Sequence, residues 1–237
     1  MTANPLNIDL RALPGPDDIH RVEFDNGLVV LSRANYNSPS VIVSGFLPAG
    51  GLFDPPEKLG LADFTAAALL RGVEGRAFQE IYEALESTGA RLGIGSGTHS
   101  TRFNGKALAE DLDLLLEILG QALRAPVFPP EQIERLRGQL LTGLAIRAQD
   151  TGEMASLAFD EIVYANHTYL LPSDGFPETI QAITRADLVD FHQRCYGPRG
   201  MVIVIVGGVE PARAVEKAAA VFGDWRNPSQ PEPPSLP

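Results

Sequence analysis

Apolar residues recur along the chain with two different periods, and these periods divide most of it into strands and helices. Alternating or continuous apolar residues predict strands at residues 21–32 (a hairpin about Asn26-Gly27), 40–47, 91–96, 100–108 and 201–206. Apolar residues three and four positions apart predict helices at residues 61–72, 77–88, 110–123, 131–148, 151–164, 184–194 and 211–222. Residues 201–206 are apolar throughout, which indicates a strand buried on both faces or paired centrally in a sheet.

Two of the predicted helices have a clear buried side. The helix at 110–123 carries one stripe made of Leu112, Leu115, Leu116, Leu119 and Leu123. The helix at 131–148 places Ile133, Leu136, Leu140 and Leu144 on its buried side. Both helices are therefore expected to pack on a common core.

Composition restricts the possible partners and the compartment. The chain has 237 residues, 44% of them hydrophobic, and a formal net charge of −11, which argues against nucleic acid as its main partner. Its single cysteine, Cys195, excludes an internal disulfide and is expected to be a buried structural thiol. The first 16 residues have no secretion signal and no apolar run is long enough to span a membrane, so we expect a cytoplasmic chain without a membrane partner.

The stretch from Gly50 to Gly72 carries the most informative pattern. A loop with Gly50-Gly51 and Pro55-Pro56 leads into the frame Gly60-Leu61-Ala62-Asp63-Phe64, which opens an alanine-rich helix. This frame resembles the zinc helix of the pitrilysin/insulinase peptidases, an inverted-zincin family that includes the mitochondrial processing peptidase. In that family two His of an H-x-x-E-H motif bind zinc and the Glu is the general base. Here Asp63 and Ala67 stand at the two His positions.

Other segments extend the resemblance over most of the chain. Residues 86–92 are similar to the family's helix-to-strand segment, and that strand binds extended substrate by strand addition. The resemblance therefore implies that Gly93, Ile94, Gly95 and Ser96 bind substrate. Residues 131–144 resemble the helix that supplies the third zinc ligand. Residues 180–188 resemble a further family segment, and residues 196–208 resemble the strand that closes the lobe.

The resemblance implies that the metal site is lost. Asp63, Ala66, Ala67, Leu136 and Gly143 stand at the positions of the first His, the base, the second His, a supporting Glu and the third ligand. One carboxylate does not make a zinc site, so we expect no catalytic residue, metal or cofactor in this chain, and zinc only in a catalytic partner. Ala66, Ala67 and Gly143 are expected to face each other across closely packed helices or a small void.

The family also implies the fold and the domain organisation. We expect an α+β fold, in which a mostly antiparallel sheet is covered by helices on one face, as in one lobe of a two-lobe protein. Residues 1–18 are expected to form an extended N-terminal arm and residues 19–226 the lobe. Residues 227–237, which are rich in proline, are expected to be a linker to a second lobe.

Three functions remain open from the sequence. The resemblance favours a non-catalytic subunit that pairs with a catalytic H-x-x-E-H subunit of the family and encloses an extended peptide. A structural scaffold subunit without a role in peptide processing is the alternative. A peptidase with a relocated metal site is the third, but no two of the four histidines, His20, His99, His167 and His192, have the spacing of a helical metal pair. Asp63 is either a helix-start carboxylate or a remnant of an ion or partner site.

Overall fold

The computed structural model describes residues 15–234 and residue 236. The strands are β1 (His20–Glu23), β2 (Val29–Ala34), β3 (Ser40–Leu47), β4 (Gly72–Val73), β5 (Arg76–Ala77), β6 (Arg91–Ser96), β7 (Thr101–Leu108) and β8 (Val202–Gly207). The helices are α1 (Leu61–Ala68), α2 (Phe78–Ser87), α3 (Leu112–Arg124), α4 (Pro130–Arg147), α5 (Thr151–Val163), α6 (Pro177–Ala182), α7 (Arg185–Cys195) and α8 (Pro211–Phe222). Except for α6 and the β4–β5 pair, each element lies where the periodicity predicts one.

The main sheet has the strand order β1-β2-β8-β3-β7-β6. Every neighbouring pair is antiparallel except β2 and β8, which run parallel. The apolar strand β8 therefore lies near the centre of the sheet, as one of the two interpretations of its sequence predicted. It separates β2 from β3, although these two strands follow each other in the chain.

Helices cover one face of this sheet, as expected for the α+β fold. In β3 and β8 the residues that point to the helices are buried except for half-buried Gly45, whereas their neighbours on the outer face are half-buried or exposed. The predicted leucine stripe of α3 lies entirely in the core, and so do Ile133, Leu136 and Leu144 of α4. Cys195 is also buried, and burial raises the pKa of its thiol to about 11, which suits a structural role.

The two ends of the chain are described only in part. Residues 1–14 of the predicted extended arm lie outside the described residues, and Pro16–Asp18 form a 3-10 turn. The first part of the proline-rich segment is bonded to the lobe. Asn227 donates to the carbonyl of Tyr196 at 2.8 Å, and buried Gln230 donates to the carbonyl of Arg199 at 2.9 Å while accepting from its N–H at 3.1 Å.

No helix within the described ranges is long and apolar enough to cross a membrane.

The turn of the first hairpin is tied to the other end of the lobe. The buried amide of Asn26 donates to the carbonyls of Phe222 at 2.8 Å and Trp225 at 3.2 Å. Its Oδ1 accepts from the N–H of Leu28 at 3.2 Å. Gly27 follows with a φ of +84°, which an asparagine–glycine turn accommodates. Asn26 therefore stabilises the hairpin turn and also binds carbonyl groups at and after the carboxyl end of α8.

We expect Asn26→Ala to lower the free energy of unfolding by about 2–3 kcal/mol, because it leaves buried carbonyls without donors. Chemical denaturation monitored by circular dichroism measures this change. Asn37→Ala is the matched control, since Asn37 is exposed in the next turn and its variant should unfold like the parent. A loss below about 0.5 kcal/mol for Asn26→Ala would mean that water replaces these bonds.

Candidate functional site

The amino end of α1 is built around one partly buried carboxylate. Asp54 accepts hydrogen bonds from the N–H groups of Gly60 and Ala62, both at 2.9 Å. Gly60 has a φ of +90°, and a Cβ there would lie 2.7 Å from the side chain of Ile180. Asp54 and Gly60 thus fix where α1 starts. The sequence analysis assigned no role to Asp54, because it lies seven residues before the start of the helix instead of at a usual capping position.

The five positions that the resemblance assigns to zinc chemistry lie on α1 and α4, which pack against each other. Ala66 and Leu136 are buried, Asp63 and Ala67 are partly buried, and Gly143 is exposed. Leu136 belongs to the hydrophobic core, and Ala67 packs against it. Ala66, Ala67 and Leu136 therefore contribute packing where the family pattern has polar side chains.

The side chains at these positions do not fit zinc. Four of the five have no atom that can bind a metal, and Asp63 supplies one carboxylate. Within the described residues there is no group of three or more His, Cys, Asp or Glu that could hold a metal ion. We therefore assign no metal chemistry to this arrangement.

The expectation about Gly143 is wrong. A Cβ built on this residue would meet no atom within 4 Å, so the helices neither approach closely there nor enclose a void. The reason is that the last turns of α4 bury only Leu144, while Thr142, Gly143 and Ala145 face outwards. The glycine stands on an open surface, where a mid-helix glycine costs about 1 kcal/mol relative to alanine.

Two carboxyl groups near α1 are harder to ionise than usual. Burial raises the pKa of Asp54 to about 7, although the backbone N–H groups that it binds favour its charged form. Burial, together with the negative charge of nearby Asp174, raises the pKa of Asp63 to about 6, and the backbone N–H of Ser96 partly offsets this. Asp174 itself is paired with Arg147 at the end of α4. Asp174 was not predicted, since it lies more than 100 residues from Asp63.

Strand β6 forms one edge of the sheet beside α1. The N–H of Gly97 donates to the carbonyl of Ser100 at 3.1 Å, which makes this a hydrogen-bonded pair. Because such pairs alternate along an antiparallel ladder, the N–H and C=O groups of Leu92, Ile94 and Ser96 point away from β7. Among the described residues, no backbone hydrogen bond outside the ladder reaches Leu92 or Ile94. The outer edge is therefore open to another strand.

All four residues predicted to bind substrate lie on this edge strand. Gly93 and Gly95 are exposed on the outer face, and a Cβ on Gly95 would meet nothing within 4 Å. Ile94 presents a free N–H and C=O, whereas the N–H of Ser96 lies beside the Asp63 carboxyl group. The structure thus brings the predicted strand and Asp63 together at the end of the open edge.

A loop after α5 contacts the turn that follows β6. Tyr169 bonds through its hydroxyl to Nε2 of His99, at 2.8 Å, and its ring packs against His167. The N–H groups of Gly51 and Leu52 also bind the turn after β6, at 3.0 and 2.9 Å. The sequence analysis predicted no contact between these loop residues and the strand, because they form no periodic pattern. His99 is exposed, as expected for a turn residue.

Two protein-family models match this chain. Residues 29–168 match the family model for insulinase, peptidase family M16, and residues 182–237 match the model for the peptidase M16 inactive domain. The chain belongs to peptidase family M16. Helices α1 and α4 lie within the residues that the first of these models matches.

Relatives of this chain include a subunit of a mitochondrial-processing peptidase and a subunit of the cytochrome b-c1 complex. The chain is 26% identical to mitochondrial-processing peptidase subunit beta of Saccharomyces cerevisiae, over 89% of this chain and 46% of that protein. It is also 26% identical to cytochrome b-c1 complex subunit 1 of Bos taurus, over 90% of this chain and 44% of that protein. The chain spans about half the length of these relatives. Together with the inactive-domain match, they support a non-catalytic M16 member.

Solved structures agree with this fold. A peptidase M16 inactive domain from Pseudomonas fluorescens has a TM-score of 0.83 and 26% identity, covering 90% of this chain and 52% of that chain. The periplasmic protease PqqL from Escherichia coli has a TM-score of 0.86 over 95% of this chain and 26% of that chain, at 21% identity. The second likeness concerns the fold alone.

We expect Asp63→Asn to make the M16 chain more stable at pH 8, by on the order of 1–2 kcal/mol. The raised pKa means that the folded state holds a proton between pH 3.8 and about 6 that the unfolded state releases, so stability falls as the pH rises through this range. Urea denaturation from pH 4 to 8 should show a smaller fall for the variant. Asp25→Asn, in an exposed turn, should keep the parent's slope; a parent-like slope for Asp63→Asn would contradict the assignment.

Proposed function

We propose that this chain is a non-catalytic M16 subunit that binds an extended peptide along β6 and encloses it together with a catalytic subunit. The observation that carries the proposal is the open edge of β6, which lies beside an α1 without zinc-binding side chains. In this arrangement the H-x-x-E-H subunit supplies the zinc and the general base, and this chain supplies peptide contacts. The relatives named as subunits support a role in an assembly.

Strand addition explains which groups would recognise the peptide. The main-chain groups of Leu92 and Ile94 would pair with those of the peptide, so affinity would depend little on peptide sequence. Exposed Gly93 and Gly95 leave room for peptide side chains on the outer face. The bond between His99 and Tyr169 would mark where the peptide leaves the edge.

The proposal also covers the domain organisation of the chain and its cellular compartment. Residues 19–226 form the peptide-binding lobe, and the proline-rich residues 227–237 connect it to a second lobe. Named relatives are mitochondrial, whereas the sequence analysis predicts a cytoplasmic chain, and cell fractionation would distinguish the two.

A structural scaffold is the second candidate, and the similarity to cytochrome b-c1 complex subunit 1 favours it. The two candidates differ in peptide binding. A peptide-binding subunit should protect a bound peptide from an added protease, whereas a scaffold should leave it exposed. Cleavage assays with this chain alone and mixed with a catalytic M16 subunit, with metal content measured by mass spectrometry, complete the comparison. Stoichiometric zinc and cleavage by this chain alone would overturn both candidates.

We expect Ile94→Pro to weaken binding of a fluorescent extended peptide about tenfold, because proline removes an outward N–H and its ring obstructs the edge. The fold should persist, since the N–H of Ile94 does not bond to β7. Fluorescence anisotropy measures the affinity, and circular dichroism checks the fold.

Gly95→Ala is the matched control for this edge. It adds one methyl group to the exposed face of the same strand without contacting any atom within 4 Å, so binding should change less than threefold. Unchanged binding by folded Ile94→Pro would exclude β6 as the peptide site.

A further inference from the structure

The edge strand β6 begins beside an open hollow, which we call the α2 hollow. Its volume is about 450 Å³, and it lies where the chain turns from α2 into β6. Its lining includes Tyr82, Leu85 and Glu86 of α2, Gly89 of the turn and Leu92 of β6. Because Leu92 also carries free main-chain groups, the hollow is continuous with the open edge of the sheet.

The apolar walls of the α2 hollow are held in place by the fold. Leu85 is buried, and Leu92 packs against the hydrophobic core. The ring of Tyr82 is 38% exposed and packs against Phe78, with the ring centroids 4.8 Å apart. An aromatic pair of this kind favours one mutual arrangement of the rings, so Tyr82 offers a preformed aromatic surface.

The charges at the α2 hollow favour neither sign. Glu86 and Arg91 both line it and both are exposed, and neither forms an ion pair within the described residues. One negative and one positive side chain of this kind leave no net charge to select a charged group. Apolar contact is therefore the main interaction that the hollow offers.

The hydrogen-bonding pattern of β6 determines which peptide residue would reach the α2 hollow. The N–H and C=O groups of Leu92 point away from β7, so one residue of an antiparallel peptide would exchange both hydrogen bonds with Leu92. Residues that pair directly across a ladder carry their side chains on the same face of the sheet. Since Leu92 packs against the core, the side chain of its peptide partner would point to the helix side, over the hollow.

We propose that the α2 hollow is a specificity pocket, and that it accepts an aromatic or large aliphatic side chain from the peptide residue paired with Leu92. This inference rests on the proposed function, because the peptide must first bind along β6. Main-chain pairing gives affinity that depends little on sequence, whereas a pocket beside the edge adds a preference for one side chain.

The preference is confined to one position of the peptide. The residues before and after the one paired with Leu92 point to the outer face, because side chains alternate along a strand. On that face Gly93 has no side chain that could select between them. A single large apolar residue in the peptide is therefore sufficient.

The first test uses a short fluorescent host peptide of serine and threonine with one central guest residue. Fluorescence anisotropy with the parent chain should give about tenfold tighter binding for tryptophan or leucine guests than for an alanine guest, because only the larger side chains fill the α2 hollow. Glutamate and lysine guests should bind no more tightly than alanine. Equal affinity for the tryptophan and alanine guests would overturn the pocket but leave peptide binding along β6 intact.

The second test removes the aromatic wall. Tyr82→Ala should reduce the preference for tryptophan over alanine at least threefold while leaving the affinity for the alanine-guest peptide unchanged, a separation that a general loss of structure cannot produce. Tyr36→Ala is the matched control, since Tyr36 is 69% exposed in the turn after β2 and lies outside the α2 hollow. Circular dichroism checks the fold of both variants.

The remaining outcomes separate the pocket from the proposed function. Ile94→Pro should weaken binding of every guest peptide by the same factor, because it acts on the shared main-chain pairing. An unchanged preference in Tyr82→Ala would overturn the pocket alone. If the parent chain binds no peptide of the series, both the proposed function and the pocket are wrong.

Discussion

The sheet depends on the insertion of β8 between β2 and β3. Strands β2 and β3 precede β8 in the chain. They cannot form a continuous sheet without it, because each bonds to β8 and not to the other. Residues about 170 positions apart therefore become neighbours, as in the bond from Ser32 to the carbonyl of Ile205. Non-local pairing of this kind is a kinetic constraint, since loop closure must precede the gain from burial.

The position of β8 also sets the geometry of the candidate site. With β8 central, β6 becomes the edge strand, and α1 packs beside it with its start fixed by Asp54. Ala66 and Leu136, two of the positions that the resemblance assigns to zinc chemistry, need no polar partners because they are buried as ordinary core residues. The strand edge lies next to this apolar packing and does not depend on a metal.

The sequence predicted what depends on local periodicity and missed what depends on distant neighbours. Alternation and the leucine stripe of α3 located the strands and helices because burial imposes these periods. Helix α6 was missed since six residues give too little pattern, and Gly143 was misjudged because a mid-helix glycine looks the same in a tight contact and on an open surface. The proximity of Asp63 to Asp174 follows from tertiary packing alone.

The anchoring of Gln230 has a practical consequence for labelling and force experiments. Its side chain binds both backbone groups of Arg199, three residues before the start of β8 at Val202. A load applied at the carboxyl end is therefore transmitted to the central strand of the sheet before it reaches α8. A fluorophore attached there would report the orientation of the sheet, with the intervening prolines acting as a semi-rigid lever.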